Sequence, residues 1–227
     1  MSAPPMPLRA PESEGAHLSF VVPPRGIYVR LGKPALDRAV AAMLLVALSP
    51  ILLVVGLLVR MRIGSPVLFR QRRVGRDGEP FDVVKFRTMA PDRRMGDRRA
   101  SRRLRTNDRR RTHKSEEDPR HTHLGRQLRK WSLDELPQLW NVVCGEMSLV
   151  GPRPELIGIV DRYEGWQRQR HLVKPGMTGL WQISRRGEGM MHLYTDIDLE
   201  YVATIGLRTD LRILLRTLPA ALARSGS

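Results

Sequence analysis

Residues 39–59 form an almost unbroken aliphatic run, interrupted at its centre by Ser49-Pro50, and a chain carrying such a run has few ways to fold. As a straight helix rising ~1.5 Å per residue it would reach about 30 Å, close to the hydrocarbon thickness of a bilayer. So long an apolar stretch disfavours a buried hairpin of a soluble domain. A single spanning helix is the first expectation, and two features oppose it. Proline in mid-helix removes a backbone donor and bends the axis, while the serine hydroxyl offers an internal partner for the freed carbonyl. The flanks are basic on both sides, with Arg30, Lys33 and Arg38 before the run and Arg60 and Arg62 after it, so no charge asymmetry orients a span. A helix that enters, bends with Ser49 and Pro50 as hinge and returns, leaving both ends on one side, satisfies both features.

The chain of 227 residues suffices for one compact domain with appendages. Its net charge of +16 implies anionic partners: nucleotide substrates, lipid headgroups or nucleic acid. Ten arginines crowd residues 92–114 without one Phe, Tyr or Trp, so the base-stacking platform of a single-strand binder is missing there. Nucleic acid is therefore not the expected partner, and the block reads as an anionic-lipid contact or a solvated loop. Residues 1–30 read as a mobile Pro-rich tail without a secretory signal, followed by the apolar segment 31–62, a body over 63–218 and a short tail 219–227. Cys144, the only cysteine, excludes an intrachain disulfide and reads as a packed thiol beside Val142 and Val143.

Two adjacent acids, Asp134 and Glu135, stand in Ser132-Leu-Asp-Glu-Leu-Pro-Gln-Leu-Trp-Asn. Ser132 and Glu135 have capping-box spacing, while Pro137 suits a first helical position, so a helix starts at either place with the acids in or beside its first turn. Such a pair can hold a metal or attack phosphorus, or it can simply cap a helix. Farther on, Pro152-Arg-Pro stiffens the backbone around Arg153, whose planar fork matches phosphate oxygens.

Residues 67–69 and 81–87 read as strands joined by a turn at 75–78, a hairpin that places Lys85 and Arg87 on one face. His121 and His123 have no ligand set around them and read as surface residues. Near the C-terminus, Leu207, Leu211, Leu214, Leu215 and Leu218 share a helical face lined by Arg208, Arg212 and Arg216, a pattern that suits a headgroup layer or an ordinary core-facing helix.

These residues resemble the bacterial sugar transferases, the monotopic phosphoglycosyl transferases, of the small type consisting of the catalytic domain alone. The resemblance is carried by the Asp134-Glu135 segment, Met147-Ser-Leu-Val-Gly-Pro-Arg-Pro, Lys85-Phe-Arg-Thr-Met, Gly64-Ser-Pro-Val-Leu-Phe and Lys174-Pro-Gly-Met-Thr-Gly-Leu-Trp-Gln, spread over most of the chain. It implies a re-entrant membrane helix, Asp134 as nucleophile with Glu135 beside it, and Mg2+ held by Asp134 and Glu135. It further implies substrate-phosphate contacts from Lys85, Arg87, Arg129 and Arg153, and a nucleotide or interface loop of Lys174, Thr178, Trp181 and Gln182; Trp181 reads equally as plain core. The implied partners are a nucleotide diphosphate sugar, polyprenyl phosphate and anionic lipid at the cytoplasmic face of the bacterial inner membrane, and the resemblance leaves room for a homodimer. The chain departs from the family pattern where Arg185 and Arg186 follow Ser184 in place of a glycine and an arginine.

The expected architecture is α+β: a membrane-associated domain with a re-entrant helix hairpin, short strands and amphipathic interfacial helices, without the alternation of a doubly wound sheet. The expected reaction moves a sugar 1-phosphate to a polyprenyl phosphate through a covalent aspartyl phosphosugar, initiating polysaccharide or glycoconjugate synthesis. The competing reading is a catalytically inert basic membrane or nucleic-acid binding protein whose acids are caps.

Overall fold

The computed structural model describes residues 21–90, 120–184 and 194–222. The arginine block 92–114, Arg185, Arg186 and most of the N-terminal tail lie outside the described residues.

A π-type turn at Tyr28–Gly32 leads into α1, Lys33–Ala47, with Pro34 in its first turn. α2, Ser49–Arg62, follows after Leu48 alone, with Pro50 in its first turn, and the two limbs are bent by 64°. The bend has a local cause. An unbroken helix would satisfy the Val46 carbonyl with the amide of residue 50, which proline lacks, and Ser49 Oγ donates to that carbonyl instead at 2.8 Å. Among the described residues no single helix is long and apolar enough to cross a membrane, whereas the bent pair passes together.

Ala41, Val55 and Val59 face inward, while Met43, Val46, Leu53, Val54, Leu57 and Met61 lie open at 59–75 % exposure. So large a bare apolar surface is costly in water, which marks this pair as the part of the molecule suited to hydrocarbon.

The rest is mixed α and β. Strands β1, Leu68–Val74, and β2, Pro80–Phe86, form an antiparallel hairpin with Phe69 opposite Lys85. Helices α3, His123–Lys130, and α4, Gln138–Cys144, lead to β3, Ser148–Val150. The short α5, Ile157–Val160, and α6, Gly165–Arg168, precede β4, Gly176–Thr178, which pairs parallel with β3. α7, Leu180–Ser184, α8, Thr195–Thr204, and α9, Leu207–Leu222, complete the described chain. The expected α+β class with short strands and a bent helix pair is what the structure has.

Two apolar clusters fasten the bent pair to the body. Ala41 of α1 joins Phe81, Val83, Leu139, Val142, Val150, Tyr201 and Ile213, and Val55 and Val59 of α2 join Phe86 and Leu128. A buried polar knot reinforces the first: Asp210 Oδ2 accepts from Lys33 Nζ at 2.7 Å and Tyr28 OH at 2.6 Å, and Asp210 Oδ1 accepts from Tyr201 OH at 2.8 Å.

One expectation is corrected. Cys144 is exposed, because it is the last residue of α4, before Gly145 turns the chain with φ 81°, while the neighbouring Val142 takes the core position. The expected leucine face of α9 is kept in part: Leu207, Leu211 and Leu215, four residues apart, share a face that is 54–62 % exposed, whereas Leu214 packs inward beside Ile213, and the Leu218 side chain lies outside the described residues.

Candidate active site

Asp134 and Glu135 sit on a single 3-10 turn, Leu133–Glu135, between α3 and α4. Ser132 enters this turn in the left-handed region at φ 57° and makes no side-chain cap, so the capping-box reading fails on backbone geometry. Pro137 stands immediately before α4, so the acids precede that helix. Asp134 is buried at 8 % exposure and Glu135 is half-buried.

Glu135 is clasped by two cations from distant parts of the chain. Its Oε1 accepts from Lys85 Nζ at 2.7 Å, and Arg153 approaches in a fork, Nη2 to Oε1 at 2.5 Å and Nη1 to Oε2 at 3.3 Å. Burial alone would raise the Glu135 carboxyl, but Arg153 and Lys85 hold it well below the carboxylate range. Lys85 is pushed down to about 8, by burial first and by the neighbouring Arg153 next, against the pull of Glu135 and Asp134. Arg153 is raised by Glu135, with Asp134 adding in the same sense. Asp134 thus lies within electrostatic reach of both cations.

Three devices hold this geometry. Asn141 of α4, 1 % exposed, accepts from the Val84 amide at 3.0 Å and donates to the Asp82 carbonyl at 2.8 Å, fixing the level of β2 and hence of Lys85 against the acid turn. Arg170 Nη2 donates to the Arg153 carbonyl at 2.8 Å, while Arg170 itself is held by Tyr163 OH at 2.8 Å and Asp198 at 2.6 Å. Arg73 Nη1 donates to the Pro154 carbonyl at 3.1 Å, pinning the Pro-Arg-Pro segment to β1. Gly151, just after β3, permits the close approach of the chain entering the parallel-paired β4, since a Cβ there would stand 2.5 Å from the Lys174 carbonyl.

Of the residues singled out in the sequence, Lys85, Glu135 and Arg153 come into direct contact around the acid turn, with Asp134 next in chain. Arg87 instead donates to the Ser65 carbonyl at 2.9 Å. Arg129 lies in the last turn of α3. Lys174 lines a separate cleft with Arg38. Thr178 shares a 2.8 Å hydrogen bond with Thr217 of α9, and Trp181 and Gln182 sit on α7, their indole and amide groups buried without hydrogen-bond partners among the described residues. These four residues are therefore spread over a loop, β4 and α7, and none of them is hydrogen-bonded or ion-paired to Glu135. Asn141, Arg170, Tyr163 and Asp198 were not selected from sequence; Asn141 closes the acid-pair motif, which was a usable signal, whereas Arg170 and Asp198 stand outside every motif.

Among the described residues no group of three or more His, Cys, Asp or Glu side chains forms a metal cage. Asp134 and Glu135 are the adjacent carboxylates that could hold a magnesium ion, one that takes most of its oxygen ligands from substrate phosphate and water, and both Glu135 oxygens are here engaged by Lys85 and Arg153.

The sequence profile described as bacterial sugar transferase matches residues 28–224. The chain is 37 % identical to the exopolysaccharide production protein ExoY of Sinorhizobium fredii, over 95 % of this chain and 98 % of that protein. It is 39 % identical to the uncharacterized sugar transferase EpsL of Bacillus subtilis, over 86 % of this chain and 89 % of that one. A third relative is the UDP-glucose:undecaprenyl-phosphate glucose-1-phosphate transferase of Escherichia coli, 40 % identical over 83 % of this chain but only 39 % of the longer relative.

Proposed function

We propose, from the premise that this chain belongs to the bacterial sugar transferase family, that it moves a hexose 1-phosphate from a uridine diphosphate sugar to a polyprenyl phosphate at the cytoplasmic membrane face. The reading is supported by relatives whose names describe undecaprenyl-phosphate sugar-phosphate transfer and exopolysaccharide production. The observation that carries it is the convergence of Lys85 and Arg153 on Glu135 beside the buried Asp134.

Asp134 attacks the phosphorus that bears the sugar. The bond from that phosphorus to the bridging oxygen breaks, nucleoside monophosphate leaves with the electron pair, and an acyl phosphate joins Asp134 to the sugar phosphate. An oxygen of polyprenyl phosphate then attacks the same phosphorus, and cleavage of the acyl-phosphate bond restores the Asp134 carboxylate. Lys85 and Arg153 supply fixed positive charge where phosphate charge develops, and Glu135 holds both in place until the donor arrives. Magnesium, bound by Asp134 and Glu135 together with the donor's phosphates, would offset the charge of the diphosphate. The open apolar faces of α1 and α2 bring this site to the bilayer surface, where the acceptor phosphate lies.

The test is release of nucleoside monophosphate from a panel of uridine diphosphate sugars by detergent-solubilised protein with magnesium and polyprenyl phosphate. Release with one donor, abolished by Asp134→Asn, is expected. Folded protein inert toward every nucleotide sugar would return the reading to a basic membrane-binding protein.

A further inference from the structure

A cleft of about 590 Å³ opens between residues 22–25, the start of α1 and the loop carrying Lys174. Six cations line it: Arg25, Arg30, Arg38 and Lys174, together with Lys33, paired to Asp210 and Asp37, and Arg76, paired to the exposed Asp77 at 3.1 Å. Its acid, Asp37, is already engaged by Lys33 at 3.5 Å and by Ser148 Oγ at 2.6 Å. Among the described residues neither Arg38 nor Lys174 has an ion pair or a side-chain hydrogen bond. Lys174 is held below the ordinary lysine value by burial first, then by Arg38 and Arg76.

A protein of net charge +16 has solvated cations in many places. This group differs because it lines a cleft, where Arg38 and Arg76 lie within electrostatic reach of the half-buried Lys174. The exposed Arg38 guanidinium rests against the main chain of Gly145, in space that a Cβ there would share. Like charges gathered in a cleft repel one another until an anion enters, and a compact anion with several acceptor oxygens answers them best. We infer that this cleft is a second phosphate-binding site, taking a phosphate ester either as a lipid headgroup or as a soluble ester.

The cleft is not an arm of the acid-turn site. Lys85, Glu135 and Arg153 do not line it, and Glu135 and Gly145 stand at opposite ends of α4, while on the other side the Lys174 main chain packs against Gly151, two residues before Arg153. Seven residues at ~1.5 Å rise put about 10 Å between those two ends. The inference does not depend on the phosphotransfer reading. The position favours access from a membrane surface, since Arg38 immediately precedes the apolar run and Ile27, Leu31 and Leu36 nearby are 47–82 % exposed.

The experiment titrates detergent-solubilised full chain at fixed salt with two probes, dihexanoyl phosphatidylglycerol and glycerol 3-phosphate. A saturable site that persists in Arg153→Gln, and is thus distinct from the acid turn, is expected, weakened roughly 30-fold in the Arg38→Gln, Lys174→Gln double variant, on the order of what two basic groups contribute at an anionic surface. Arg153→Gln should leave binding intact, as should Arg208→Gln with Arg212→Gln, which removes the same charge elsewhere. Binding of the lipid alone assigns a headgroup, and binding of both probes assigns a site for the ester itself; either supports the inference. It is overturned if neither probe saturates, if binding depends on Arg153, or if the Arg208 and Arg212 control loses as much. Should Arg38→Gln not fold, the half-exposed Lys174→Gln alone decides between these outcomes.

Discussion

Lys85 Nζ stands 2.7 Å from Glu135 Oε1, a contact that joins the end of β2 to the acid turn across 50 positions of chain. Burial and Arg153 push Lys85 down to about 8, below the ordinary lysine value of 10.5. Between those values the unfolded chain holds a proton that the folded one has lost, so the ammonium's burial penalty is relieved and stability rises as pH climbs through this window. Activity should move the other way, because neutral Lys85 no longer offsets phosphate charge. The expected profile of kcat/KM falls above about pH 8, and Lys85→Arg, if active, shifts that limb upward because a guanidinium does not titrate there. Parallel loss of stability and activity above pH 8 would contradict this assignment.

The two-carboxylate donor set predicts how magnesium behaves. With no cage of three or more ligating side chains among the described residues, the ion has little to hold without donor phosphates. Chelation should abolish nucleoside monophosphate release, and magnesium should restore it. Magnesium alone should shift the melting temperature by less than about 1 °C, whereas magnesium with nucleotide diphosphate should shift it by several degrees, as ligand linkage requires. A large shift with magnesium alone would mean a complete protein site.

The bend at Ser49-Pro50, the strand hairpin and the acid turn were legible in sequence because each depends on local chemistry: a missing amide, alternation around a glycine turn, a motif bounded by Pro137. What was not legible depends on chain crossings. Arg170 and Asp198 meet from separate elements, and nothing in their local sequence marks them. Cys144 misled because its neighbours are apolar, although one step around a short helix carries a side chain from core to solvent. Arg87 was placed with Lys85 by strand alternation, but the strand ends at Phe86, after which the alternation no longer governs direction.

Arg170 acts on the site through Arg153. It is 1 % exposed, donates to the Arg153 carbonyl and lies 2.6 Å from the equally buried Asp198. Arg170→Met leaves Asp198 without its counter-charge and should cost about 3–5 kcal/mol, more than removing both charges together with Asp198→Leu. A thermal melt of the two single variants and the double checks this ordering, and a double variant less stable than Arg170→Met would refute it.

Replacing Pro50 tests what holds the bend. With alanine there the amide can return to the Val46 carbonyl, and straightening recovers up to ~3 kcal/mol of helix continuity. Against that stand Val55 and Val59, 5 % and 0 % exposed, worth about 1.5–3 kcal/mol each on burial. Arg60 and Arg62 would also have to cross the bilayer at further cost. Pro50→Ala should therefore keep the bend. In a Cys144→Ser background, a cysteine introduced by Ser65→Cys, an exposed position just past α2 that keeps both arginines, should remain reactive only from the cytoplasmic side; labelling from the opposite side would show that proline alone sets the topology.

Asp210 ties the first limb of the bent pair to α9, accepting from Lys33, Tyr28 and Tyr201 within 2.6–2.8 Å. Asp210→Ala leaves the buried Lys33 with Asp37 alone at 3.5 Å, Tyr201 OH with the Val150 carbonyl alone at 3.0 Å and the half-buried Tyr28 hydroxyl without its acceptor, and should cost on the order of 2 kcal/mol, about 4–8 °C in a domain of this size. Asp210→Asn keeps an acceptor while losing the charge, and should fall between. The tyrosines add a pH signature. Tyr28 and Tyr201 are both raised above 10, by burial first and by Asp210 next, so the folded state keeps protons that the unfolded state releases. Their contribution to stability is complete below pH 10 and is lost as pH rises beyond it, at up to ~1.4 kcal/mol per pH unit for the buried Tyr201 and by less for the partly exposed Tyr28, where solvent screens the charge. Asp210→Asn removes the carboxylate's share of that shift, so its stability should decline less steeply above pH 10 than that of the parent chain. Equal slopes in the two proteins would mean that burial alone sets the tyrosine protons and that the Asp210 knot is looser than its distances imply.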